Sequence, residues 1–141
     1  MLFRSHARER FEALMASAMD AGCVTDAVVA ESLAQARNLW HIRESITLAQ
    51  AEEGLNIKHD ISIPISSIPE FVDVTDAQLA EQIPGARFVD FGHLGDGNLH
   101  YNVQAPEGDD VRAFQNQYED LINDIVYRSV QRYGEIGRAH V

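Results

Sequence analysis

Apolar residues recur at helical spacing over residues 3–21, where Phe11, Leu14, Met15, Ala18 and Met19 form one stripe and Gly22 ends it. Such a stripe is expected to face a core. A second helix is expected from Thr25–Asp26, whose side chains suit an N-cap, to about Glu53, before Gly54 stops it. Leu33, Ala36, Trp40 and Ile46 make its apolar face, with Leu39 and Ile42 flanking and Arg43 at the edge. The period then changes from helix to strand. In residues 55–64 Ile57, His59, Ile61 and Ile63 alternate with Lys58, Asp60 and Ser62, which predicts a half-buried strand. Ser67-Ile68-Pro69-Glu70 has the form of a capping box and opens a helix to about Ile83. Ile68, Phe71, Val72, Thr75 and Leu79 are its inner face, and Pro84-Gly85 breaks it. Two strands follow, Arg87–Leu94 and Leu99–Gln104, joined by Gly95, Asp96, Gly97 and Asn98. A last helix from about Asp109 carries Val111, Phe114, Tyr118, Leu121, Ile122, Ile125 and Val126 in register. The order helix, helix, strand, helix, strand, strand, helix predicts an α+β domain, a ferredoxin-like antiparallel sheet covered by helices. The pattern leaves open how the first strand pairs with the hairpin.

The hairpin carries the chemistry. A turn centred on Asp96-Gly97 would set His93 directly opposite His100, about 5 Å apart at Cβ. Two imidazoles at that separation can share one small ion or one anionic substrate. Asn102 rejoins the face of His100, whereas Leu99, Tyr101 and Val103 point into an apolar layer. Histidines on a sheet also serve as bonded core residues, and His59, on the apolar side of its strand, is expected to be one. The glycines at 92, 95 and 97 lead into a strand rather than a helix N-terminus, which argues against a phosphate cradle.

Composition narrows the partners. The chain has 141 residues, enough for one domain with a true core, and 45% of them are apolar. A formal net charge of −11 disfavours nucleic acid and anionic membranes. No apolar run is long enough to span a bilayer, and the first residues do not read as a signal peptide. Cys23 is the single cysteine, so no internal disulfide forms and a reducing cytoplasm is the expected location.

The segments GHLGDGNLHYNV and KHDISIPISSIPEF together resemble the C-terminal domain of FAD-linked oxidases of the D-2-hydroxyacid dehydrogenase type. This group includes enzymes acting on D-lactate, D-2-hydroxyglutarate and glycolate. The resemblance runs from about Phe11 to Tyr133. It implies oxidation of a D-2-hydroxy acid to the 2-oxo acid, with hydride passing to FAD held by a separate N-terminal domain that this chain lacks. It further implies that Arg43, in LWHIRESI, and Lys58 bind the substrate carboxylate, with Asn102 beside them. His93 and His100 would hold a divalent metal, with zinc expected, and Glu135 is the candidate third ligand. The chain departs from the family pattern after Tyr133. There it reads GEIGRAHV, and neither the family's catalytic histidine nor its metal-binding glutamate has a secure match. The expected domain is therefore a partial substrate-binding domain, inactive alone and able to self-associate. The rival expectation is a small non-catalytic metal-binding or dimerisation domain of the same fold.

Overall fold

The computed structural model describes the backbone of residues 2–134 and the side chains of residues 6–134. The chain divides into two compact units, residues 1–48 and 49–141. In the first, helix α1 (Leu2–Asp20) ends at Gly22, whose φ of 70° suits a residue without a Cβ. Helix α2 spans Leu33–Glu44 and α3 spans Ile46–Glu52. The single long helix expected from Thr25 is thus shorter and in two pieces. Its start is set by a reciprocal cap: Ser32 Oγ accepts from the Gln35 amide at 3.2 Å, and Gln35 Oε1 accepts from the Ser32 amide at 3.2 Å. Asp26 instead spends its carboxylate on the adjacent Ala27 amide. The break falls at Ser45, whose hydroxyl donates to the His41 carbonyl at 2.7 Å and competes with the helical ladder. Among the described side chains of residues 6–48 none is buried. The α1 stripe does not enter a core: Phe11 and Leu14 are 44% and 60% exposed.

The second unit holds the sheet, formed by β1 (Asn56–Ser62), β2 (Arg87–His93) and β3 (Asn98–Gln104) in the order β1-β3-β2. Both pairings are antiparallel, so β3 runs between two strands that are parallel to each other. Helix α4 (Ile68–Gln82) connects β1 to β2 and α5 (Val111–Tyr133) follows β3. This split β-α-β with an inserted hairpin is the expected α+β arrangement. Both helices pack together, and Phe71 of α4 and Ile122 and Val126 of α5 join Ile57, Ile61, Tyr101 and Val103 in one core. Each of these aliphatic side chains contributes about 1.5–3 kcal/mol through burial.

The caps differ in kind. Ser67 makes no capping bond, because a 3-10 turn over Ile65–Ser67 leads into α4 and holds Ser67 in helical geometry. Asp110 does cap α5, accepting from the amides of Arg112 and Ala113 at 2.9 and 3.1 Å.

Candidate functional site

The hairpin loop fixes the geometry of the site. Leu94–Asp96 forms a 3-10 turn, and Gly97 closes it at φ 70° with its amide on the Leu94 carbonyl at 3.0 Å. Gly97 is buried against the end of β1: its carbonyl accepts from the Ile63 amide at 3.0 Å, and a Cβ there would lie 2.3 Å from the Ile63 oxygen. Only glycine fits that contact and that φ together. The loop thus has four residues, and His93 pairs with Asn98, Gly92 with Leu99 and Phe91 with His100. This corrects the register expected from a two-residue turn. His93 and His100 are not opposite each other. They share a face on a diagonal, because the shift is by two residues and side chains alternate with period two.

That face carries Lys58, Asp60 and Ser62 from β1 and Asn98, His100 and Asn102 from β3, joined in the pairs Lys58↔Asn102, Asp60↔His100 and Ser62↔Asn98. Asp60 Oδ1 accepts from Asn98 Nδ2 at 2.7 Å and lies 3.3 Å from His100 Nδ1. The His100 ring lies against Phe91, with centroids 5.1 Å apart. Lys58 is exposed, as is His93 at the end of β2, with its Nδ1 3.9 Å from the Asp96 carboxylate. Asn102 is buried and donates to Gln50 Oε1 at 2.9 Å. Gln50 Nε2 and Asn56 Oδ1 are buried near this end without hydrogen-bond partners.

The opposite face is structural, although it too is polar in places. His59 is 1% exposed, with Nδ1 3.0 Å from the Tyr101 carbonyl and Nε2 2.8 Å from the Asn123 amide group. Burial lowers its pKa, against the Tyr101 and Asn123 bonds that raise it, in line with the expected core histidine. Tyr101 donates to Asp76 Oδ1 at 2.6 Å. Beside them, burial and then the Asp76 charge raise the Asp90 carboxyl to about 7.

Arg43 belongs to the first unit, where with Ala30, Ala36, Leu39 and Trp40 it lines an open groove of about 300 Å³. Glu135 and His140 lie outside the described residues. Among the described residues no group of three or more His, Cys, Asp or Glu side chains is placed to hold a metal ion. Among the described residues, two imidazoles fall short of the three protein ligands of a catalytic zinc. Sequence pattern alone does not mark Asp60, Asn98, Phe91 or Gln50 as residues of the site. Alternation in KHDIS sets Asp60 beside Lys58 on the polar face, but its pairing with His100 comes from the β1–β3 register, which no local pattern reports. No local signal marks Gln50.

A family model described as FAD linked oxidases, C-terminal domain, matches residues 3–140. The mitochondrial D-2-hydroxyglutarate dehydrogenase of Arabidopsis thaliana is 35% identical over 134 residues, covering 94% of this chain and 22% of that protein. The D-2-hydroxyglutarate dehydrogenase of Xanthomonas citri pv. viticola is 39% identical over 123 residues, covering 86% and 26%. That of Stutzerimonas stutzeri is 34% identical over 142 residues, covering 98% and 30%. The chain therefore spans under a third of the length of these relatives.

Proposed function

Because the chain belongs to the family of FAD linked oxidases, C-terminal domain, we propose that its open sheet face binds the substrate of a flavin-dependent D-2-hydroxyacid dehydrogenase. The relatives named for D-2-hydroxyglutarate make that dicarboxylate the first ligand to test. The observation that carries the reading is the register, which sets a lysine, an imidazole and a carboxylate side by side on one face of the sheet.

The roles follow from the chemistry of a 2-hydroxy acid. Its carboxylate needs a cation, which Lys58 supplies as a mobile point charge. Its α-hydroxyl must lose a proton as the α-carbon loses a hydride, and a neutral imidazole at His100 can accept a hydrogen bond from that hydroxyl. When bound, FAD takes the hydride, and the product is the 2-oxo acid. Asn102, bonded to Gln50, holds the inner end of the face in shape and keeps its amide oxygen for the substrate, the role the resemblance implies. Arg43 enters as a further carboxylate-binding residue on the family resemblance alone.

The test is calorimetric titration of the 141-residue chain with D-2-hydroxyglutarate. Lys58→Ala should weaken binding roughly tenfold, equivalent to about 1.4 kcal/mol. Equal affinity in wild type, Lys58→Ala and His100→Ala would remove this face from the site.

A further inference from the structure

Helix α3 turns an amide inward and an apolar side chain outward: Gln50 is its buried residue at 7% exposure, whereas Leu48 is 69% exposed. Hydrophobic burial alone would favour the reverse. What Gln50 meets inside is Asn102 of the central strand, 4% exposed, whose Nδ2 donates to Gln50 Oε1 at 2.9 Å. Two side-chain amides can close a ring of two hydrogen bonds, each giving one donor and one acceptor. This pair makes one bond only. Gln50 Nε2 is buried without a partner, and Asn56 Oδ1 of β1, a likewise buried acceptor, does not take it. A buried donor left unpaired lowers stability, so packing does not account for a glutamine here. Its Oε1, by contrast, has a definite task.

The oxygen and nitrogen of an asparagine amide are alike in shape and differ in what they bond, so the direction of Asn102 is decided by its partners. The bond to Gln50 commits Nδ2 and leaves Oδ1 as the atom that Asn102 can offer to a ligand. Asn102 lies opposite Lys58 of β1 and two residues from His100 on the same side of β3. We propose that Gln50 is a positioning residue: it holds the Asn102 amide with its oxygen toward the ligand, and so makes the open face prefer a 2-hydroxy acid to the corresponding 2-oxo acid. This rests on the reading of that face as the substrate face and names what the face discriminates. An amide oxygen accepts and cannot donate. Carboxylates and a keto oxygen also only accept, and the hydroxyl is the one group of an ionised 2-hydroxy acid that donates. Placed between Asn102 and His100, it can give its proton to either acceptor. A keto oxygen in the same place sets acceptor against acceptor. The oxidised product is then held less tightly than the substrate, which favours its release. Without Gln50 the amide can turn, offer Nδ2 to a keto oxygen, and lose the distinction.

The experiment is calorimetric titration of the 141-residue chain with D-2-hydroxyglutarate and with 2-oxoglutarate, joined to NMR of the side-chain amides. Wild type should bind the hydroxy acid roughly tenfold more tightly, as one neutral hydrogen bond allows. Gln50→Met, similar in length and without the acceptor, should bring the two affinities within about twofold of each other. Gln50→Glu keeps an oxygen for Asn102 Nδ2; its charge should weaken both acids and leave their ratio near that of wild type. In an Asn102→Ala background Gln50→Met should leave the ratio unchanged, because Gln50 acts through Asn102. The NMR signature is scalar coupling across the hydrogen bond, expected in wild type between Asn102 Nδ2 and the side-chain carbonyl carbon of Gln50. It decides the direction of the amide even where Gln50→Met fails to fold. Equal affinity of wild type for the two acids, a ratio indifferent to Gln50→Met, or coupling from Gln50 Nε2 to the side-chain carbonyl carbon of Asn102 would overturn the proposal. A wild-type chain that binds neither acid would overturn the reading beneath it, while the coupling still decides the role of Gln50.

Discussion

His59 and His100 stand on adjacent strands of one sheet, a single rank apart in the register, and face opposite ways. The face of His59 is closed by α4 and α5, and its polar groups are bonded inward: His59 to Tyr101 and Asn123, and Tyr101 to Asp76. The face of His100 is open at the hairpin end, and its polar groups are ordered but still partly exposed. The same residue type is a structural part on one side and a candidate ligand-binding group on the other. Burial decides between the two, since a sealed imidazole bonded at both nitrogens has nothing left for a substrate. The comparison predicts that stability should depend on the closed face and ligand response on the open one.

The largest effect should come from Tyr101→Ala, which leaves a cavity where a fully buried ring meets Phe71 at 5.6 Å and strands the Asp76 carboxylate. A loss of about 3–5 kcal/mol in denaturant unfolding is expected. Next is His59→Ala, which removes the buried ring bonded to Asn123 and the Tyr101 carbonyl and should cost about 2–3 kcal/mol. A stability change below about 0.5 kcal/mol in either variant would break the comparison. Smaller still is a pH effect at Asp90. Its Oδ1 is buried without a hydrogen-bond partner, and its pKa rises from 3.8 to about 7 through burial first and the Asp76 charge second. The folded state therefore binds the proton more tightly than the unfolded chain. The stabilising contribution is complete below about pH 4 and is lost as pH rises toward 7, on the order of 1–3 kcal/mol. The lowered pKa of His59 acts in the opposite sense, reducing stability as pH falls below 6.5. Comparison of Asp90→Asn with wild type isolates the acidic group: the variant should gain relative stability as pH rises from 4 to 7. A difference independent of pH would show that Asp90 is ionised throughout. The smallest stability change is expected for Lys58→Ala, within about 0.5 kcal/mol, because the side chain is exposed on an edge strand.

Much of the closed face was legible in the sequence. The alternation of Ile57, His59, Ile61 and Ile63 and the stripe of Phe71, Thr75 and Leu79 describe burial that the fold carries out, because periodicity records which side meets the core. The open face was legible in its members but not in its pairing. Asp96-Gly97 suggests a two-residue turn, yet the left-handed residue is Gly97 alone, held by its contact with Ile63. That contact comes from Ile63, just past the end of β1 and far earlier in the chain, and no local pattern reports it. The same limit explains the broken second helix. Thr25 and Asp26 have cap chemistry, but the reciprocal Ser32–Gln35 bonds satisfy more orphan amides, and α2 begins there.

The division between the two faces is tested most directly by following the imidazole resonances of the 141-residue chain during titration with D-2-hydroxyglutarate. The account predicts that the His100 signals move in a saturable way while those of His59 stay fixed. Movement of His59 to the same extent, or a His100 signal that stays still while the ligand demonstrably binds, would contradict it.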